Sequence, residues 1–146
     1  MDCGWRRLID LESDIPYIPR KEYAWAMSWD VEHTDEFASW FVGLSEADQD
    51  AIRFAVGLLM AQGPNLRFPH SSGISNSRHS HMRELRIQSE GRPLRVFYAF
   101  DPRRSAILLI GGDKTGDDRF YERLIPVADE LYDVHLMELK QEGLLK

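Results

Sequence analysis

The sequence predicts an α+β domain in which a small antiparallel sheet of about four strands carries an N-terminal helical hairpin and a C-terminal helix. Three observations predict it. Two amphipathic helical stripes lie close together near residues 35–62, three alternating or apolar strand patterns follow one another between residues 83 and 110, and a last helical pattern closes the chain. The chain has 146 residues, enough for one ordinary domain, and 43% hydrophobic composition gives it a core to bury.

The first helix rests on Phe37, Trp40, Phe41 and Leu44, which recur at one helical face, with Thr34 or Asp35 available as its cap. Ser45, followed three residues on by Asp48, opens a second helix whose apolar stripe is Ile52, Ala55, Val56 and Leu59, and Gly63-Pro64 ends it. Residues 65–82 are rich in Ser, His and Gly and read as a loop, long enough to suggest a functional role. From Arg83 to Gln88 the alternation puts Leu85 and Ile87 on one face and Glu84 and Arg86 on the other. After a turn around Gly91, Leu94, Val96, Tyr98 and Phe100 share one face, and Arg95, Phe97 and Ala99 the other. Asp101-Pro102-Arg103-Arg104 turns the chain into an apolar strand over residues 105–110, with Gly111-Gly112 at its exit. Phe120, Leu124, Val127, Ala128, Leu131, Val134 and Leu139 mark the last helix, with Pro126 at its first turn or at a kink, and its tail is acidic on the outer face.

Residues 1–26 sustain neither period and are broken by Pro16 and Pro19. They read as a flexible extension ahead of a domain over 27–146, the alternative being an ordered arm over a sheet edge. No apolar run approaches a membrane span, no apolar signal core opens the chain, and the single Cys3 forms no internal disulfide and stands too alone to serve as a nucleophile. A cytoplasmic protein is the expectation.

The net charge of −6 argues against nucleic-acid binding until its distribution is read. Residues 66–104 carry 8 arginines and 3 acidic side chains, between two acidic flanks. Guanidinium forks suit phosphate because they bind it bidentately and stay ionised. Arg86 and Arg95 stand on strands expected to be neighbours, where both forks could reach one phosphate; the bland alternative is an arginine paired with Glu84 or Glu90. His79 and His81 lack the Cys or carboxylate partners of a metal site, so no metal is expected; with Arg78 and Arg83 they could instead contact RNA. The Gly111–Gly116 stretch has no Gly-Lys-Ser/Thr order, so a phosphate loop is excluded and Lys114 is left open.

Glu84-Leu85-Arg86, then Gly91-Arg92-Pro93-Leu94-Arg95-Val96-Phe97-Tyr98-Ala99-Phe100-Asp101, then the apolar strand ending at Asp113-Lys114, resemble the RelE/ParE superfamily, in its HigB-like, phage Gp49-like branch. The resemblance covers about residues 27–125. It implies a microbial RNase-like fold and the toxin of a type II toxin–antitoxin system, a ribosome-dependent mRNA endonuclease that needs no cofactor and is neutralised by a helix-turn-helix antitoxin. A ParE-like gyrase inhibitor or a non-catalytic binding module are the rival implications. By position it assigns Arg86, Arg95 and Lys114 to the reacting phosphate; Arg78, His79, His81 and Arg83, read from the loop itself, are expected to grip the RNA. Tyr121 or His81 would supply proton transfers. The chain departs from the pattern at Lys114, which stands alone among Asp113, Asp117 and Asp118, and in its overall acidity.

Overall fold

The computed structural model describes residues 29–145 and the backbone of Arg6–Arg7. The remaining residues of the expected extension, Cys3 among them, lie outside the described residues. A single mixed sheet is flanked by helices on both faces. Its strands are β1 (Arg6–Arg7), β2 (Val31–His33), β3 (Ser71–Gly73), β4 (Arg83–Ser89), β5 (Arg92–Phe100) and β6 (Ala106–Asp113), in the order β1-β2-β6-β5-β4-β3. The helices are α1 (Asp35–Val42), α2 (Glu46–Gln62) and α3 (Phe120–Gln141).

The three consecutive strands β4, β5 and β6 form the expected antiparallel meander. The strand β2 pairs parallel with β6, so the sheet is mixed rather than wholly antiparallel. The helical hairpin lies between β2 and the meander in the chain, and such a crossover lets two strands run the same way. Arg6–Arg7 pairs antiparallel with β2 at the edge. At the other edge, Ser71–Gly73 forms a short strand inside what the sequence reads as loop; three residues without alternation carry no strand signal.

Two cores sit on opposite faces. Leu85, Ile87, Leu94, Val96, Tyr98 and Leu108 pack beneath α1 and α2 with Phe37, Phe41, Ile52, Val56 and Leu59. Met82, Phe97, Ala99, Ile107 and Leu109 pack beneath α3 with Phe120, Ile125, Ala128 and Tyr132. The alternation read from β4 and β5 thus sorts their side chains correctly.

The helix caps follow the chemistry of their residues. Thr34 Oγ1 accepts from the Phe37 amide at 2.9 Å and donates to the Leu109 carbonyl at 2.7 Å, so one hydroxyl both starts α1 and fastens it to β6. Ser45 Oγ accepts from the Asp48 amide at 3.1 Å. The helix α3 starts at Phe120 and runs through Pro126, which therefore lies inside it rather than in its first turn.

Gly111 and Gly112 do not leave the strand as the sequence suggests; β6 continues through them to Asp113. A Cβ at Gly111 would stand 2.2 Å from the Trp40 ring, and one at Gly112 would stand 2.8 Å from the Phe120 ring. The paired glycines let an aromatic from each flanking helix rest directly on the backbone of β6.

Candidate functional site

The site grows from the register of β4 and β5. Arg86 is the direct cross-strand partner of Arg95, and Glu84 of Phe97. Residues directly opposite on antiparallel strands share a face, so Glu84, Arg86 and Arg95 all lie on the side of the sheet that α3 covers. The helix begins at Phe120, and its second residue, Tyr121, reaches Glu84.

Glu84 is the hub. Its carboxylate is buried, with 3% of the residue exposed, and it accepts from Tyr121 Oη at 2.8 Å and from Ser72 Oγ at 2.9 Å. Arg86 Nη1 donates to it at 3.3 Å, and Arg95 Nε lies 3.6 Å from its other oxygen. Both arginines therefore share one face, as their placement on adjacent strands requires, and both are engaged by Glu84, the internal partner that sequence spacing leaves as the alternative.

They differ in access. Arg95 is 5% exposed, donates from Nη1 to the Leu94 carbonyl at 3.0 Å, and its Nε finds no hydrogen-bond acceptor. The Arg86 side chain is 29% exposed and its guanidinium lies 4.9 Å from the centre of the Phe68 ring. Both arginines line an open cleft of about 510 Å³ whose other walls are Ala51, Phe54 and Ala55 of α2, Pro69 and His70, and Ile87 and Gln88.

Lys114 joins this group from the end of β6. Its Nζ lies 5.2 Å from the centre of the Tyr121 ring. Burial, with the Glu84 carboxylate beside it, pushes the Tyr121 hydroxyl above its ordinary value, so at neutral pH it is a donor rather than a base. Arg86, Arg95, Lys114 and Tyr121 are thus brought together, with Glu84 between them.

The residues expected to grip RNA are placed elsewhere. Arg78 pairs with Asp133, and His79 Nε2 lies 2.8 Å from the other oxygen of that carboxylate. His81 meets Tyr132 Oη at 3.2 Å. Asp129 accepts from Ser77 Oγ at 2.5 Å and from the Arg78 amide at 3.0 Å. This loop is tied to α3, and Asp129 is a buried tether rather than part of an acidic outer face. The hydrogen bond from Arg78 holds the Asp133 carboxyl below its usual range. Arg83 lies three residues before Arg86, hence on the opposite face, and donates from Nε to Ser71 Oγ at 3.0 Å.

Other arginines of the basic block are consumed in similar ways. Arg92 bridges Asp48 and Asp113. Arg103 bridges Asp101 and Glu32, and Asp101 also takes His135 Nε2 at 2.7 Å under α3. Among the described residues no cluster of His, Cys, Asp and Glu could hold a metal, and no helix is long and apolar enough to cross a membrane.

Sequence reasoning missed the roles of Ser72, Phe54 and Phe68. The pairing of Glu84 with Arg86 was available from their shared parity in β4. Nothing periodic marks Phe68, which sits in an irregular segment between Arg67 and Pro69.

Comparison with known proteins follows the same outline. Residues 39–133 match the model of the phage-derived Gp49-like protein family (DUF891). Over 117 residues the chain is 33% identical to the protein named "Putative toxin HigB2" of Mycobacterium tuberculosis (strain ATCC 25618 / H37Rv), a match that spans 79% of this chain and 58% of that protein. Over 92 residues it is 40% identical to "Putative toxin HigB3" of the same strain, across 62% of this chain and 79% of that protein. No solved structure matches the chain. The family match takes in both α2 and the whole Glu84, Arg86, Arg95 and Lys114 cluster, and the chain belongs to the phage-derived Gp49-like family, in the HigB-like branch that its motifs resemble.

Proposed function

We propose that the protein is the toxin of a type II toxin–antitoxin system, held in check by a cognate helix-turn-helix antitoxin in the cytoplasm, and that it cleaves mRNA on the ribosome without a metal. The relatives named as HigB toxins support the toxin reading. The observation that carries the chemistry is the cross-strand pair of Arg86 and Arg95 at the wall of an open cleft, with Lys114 and Tyr121 beside it.

In this reading the ribose 2′-oxygen attacks the adjacent phosphorus, the bond to the 5′-oxygen breaks, the 2′-hydroxyl gives its proton to solvent and the leaving 5′-oxygen takes one from solvent, leaving a 2′,3′-cyclic phosphate and a 5′-hydroxyl. Negative charge grows on the non-bridging oxygens. Arg86, the more accessible fork, meets them; Arg95, held from below by Glu84, fixes Arg86's counter-ion and adds positive potential. Lys114 adds a third cation from just past the end of β6. Tyr121 donates hydrogen bonds and orients Glu84. The loop bearing Arg78, His79 and His81 extends the proposed RNA surface, with Arg83 on the opposite face of β4.

The test is expression of the chain without its antitoxin, followed by mapping of mRNA ends in growing cells. Growth arrest with new internal 5′ ends is expected. Arrest with intact mRNA would overturn the nuclease reading.

One observation favours a second reading, a binding module or gyrase inhibitor of the same fold. Glu84 neutralises both arginines, and Asp113, Asp117 and Asp118 surround Lys114 in sequence. Inhibition of gyrase supercoiling by the purified chain, with mRNA untouched, separates it from the first.

A further inference from the structure

Two of the most exposed large apolar side chains of the described residues are aromatic and belong to the same region. Phe68 is 69% exposed and Phe54 is 67% exposed. Phe54 lines the cleft with Arg86 and Arg95, and Phe68 lies against the Arg86 guanidinium, next to Pro69 and His70 of the cleft wall. An isolated exposed aromatic needs no explanation, but one that lines a cleft holding two guanidinium groups and a second that lies against one of those groups form a combined surface.

Its electrostatics select the occupant. Besides Arg86 and Arg95, the cleft is lined by His70 and otherwise by uncharged side chains; Glu84, the carboxylate that pairs with both arginines, is buried and not among the lining residues, so the net charge the cleft presents is that of two cations against one anion. Arg67, next to Phe68 in the chain, is exposed and forms no ion pair among the described residues. Arg95 lines this space from below the surface, its buried Nε without a hydrogen-bond acceptor and 3.6 Å from Glu84 Oε1. The ligand that matches is anionic at one end and flat and apolar at the other, since the Phe68 ring centre lies 4.9 Å from the Arg86 guanidinium.

We propose that Phe68, with Phe54, forms a base-stacking shelf beside Arg86, so that the cleft takes one nucleotide of a single strand: its phosphate on Arg86 and its base against the aromatic ring. The inference rests on the RNA reading above and adds to it a subsite that sets how strongly, and with which bases, the strand is held. A ring already in contact with one guanidinium face keeps its other face for a base, and every nucleobase offers a π-face, so the shelf favours purines over pyrimidines without strict sequence reading.

The experiment titrates the full chain with short oligonucleotides whose riboses carry 2′-O-methyl groups, so that cleavage cannot occur. One bears a central adenine and the other is abasic at that position; binding is followed by NMR shifts of residues 54, 68, 86 and 88. The adenine strand is expected to bind about tenfold more tightly than the abasic strand, as one stacked base contributes about 1–3 kcal/mol. Phe68→Ala should erase that preference, and Phe68→Tyr should keep it. Both Phe68 variants alter an exposed ring, so the fold is expected to persist and is checked by the same spectra.

Equal binding of the two strands would overturn the shelf while leaving the phosphate reading intact. A preference that survives Phe68→Ala would place the base elsewhere and overturn it as well. No binding of either strand would remove both the shelf and the anion site beneath it. Shifts at residues 54, 68 and 88 produced by the antitoxin but by neither strand would assign the cleft to a protein partner instead.

Discussion

Arg86 and Arg95 stand directly opposite each other on β4 and β5, and the carboxylate of Glu84 touches both. The pair is nonetheless unequal, because one member opens to solvent and the other is buried. A buried ion pair broken from one side leaves an uncompensated charge.

Arg86→Ala and Arg95→Ala should therefore fail in different ways. Arg86→Ala should lower mRNA cleavage about 10²-fold, the typical loss on removing one donor to a developing oxyanion, while its denaturation midpoint stays close to that of the parent chain. Arg95→Ala should lose about 3–5 kcal/mol of stability, since Glu84 stays buried without the one cationic neighbour that is buried with it. Paired urea denaturation and cleavage assays check this. Equal destabilisation by the two variants would contradict the division between a working fork and a supporting one.

Stability should fall on the acid side through a small set of carboxylates. Burial by itself would raise Asp101, but hydrogen bonds from His135 and Arg103 override it and hold the carboxyl below its ordinary 3.8. Hydrogen bonds from Arg92 and Ser89 hold Asp48 low in the same way. A carboxyl depressed in the folded state binds its proton first in the unfolded chain. Its stabilisation is thus full above the unfolded value and is lost as pH falls through the folded one. Thermal midpoints should be flat from neutral pH to about 5 and drop below about 4. Asp101→Asn should lower the neutral plateau and flatten the acid limb; an unchanged acid limb would remove Asp101 from this role.

Gly111→Ala should destabilise the chain by about 1–3 kcal/mol, the usual cost of overfilling a packed site. The added methyl meets the rigid Trp40 ring, which cannot move without disturbing α1. In the double variant with Trp40→Leu the penalty of the alanine should shrink, as expected for side chains in contact. A full penalty in both backgrounds would mean the glycine is needed for its backbone alone.

Asp129→Ala should free the loop that carries Arg78, His79 and His81. It removes the acceptor for Ser77 and for the Arg78 amide, both part-buried. Amide exchange across residues 77–82 should rise by more than tenfold while the amides of β5 stay protected. RNA binding measured on the same variant tells whether these residues act from a fixed position.

Much of the architecture was legible from local patterns. Stripes at helical spacing located α1 and α2, and alternation in β4 and β5 assigned each side chain to its core, since both periods are geometric properties of the backbone. Even the shared face of Arg86 and Arg95 followed once the strands were adjacent. The parallel pairing of β2 and the three-residue β3 were not legible, because pairing partners depend on contacts distant in the chain.

What the sequence by itself determined was which residues point together along each strand and helix, and that arginine dominates the middle of the chain. Only the tertiary structure decided how those charges are used: Glu84 and Tyr121 meet at one arginine pair, Asp129 and Asp133 draw the histidine loop onto α3, and Phe54 lines the arginine cleft while Phe68 lies against Arg86. The reason is physical. Periodicity is set by bonds between near neighbours, whereas an ion pair or a cleft needs residues tens of positions apart, and only the packed core fixes that distance.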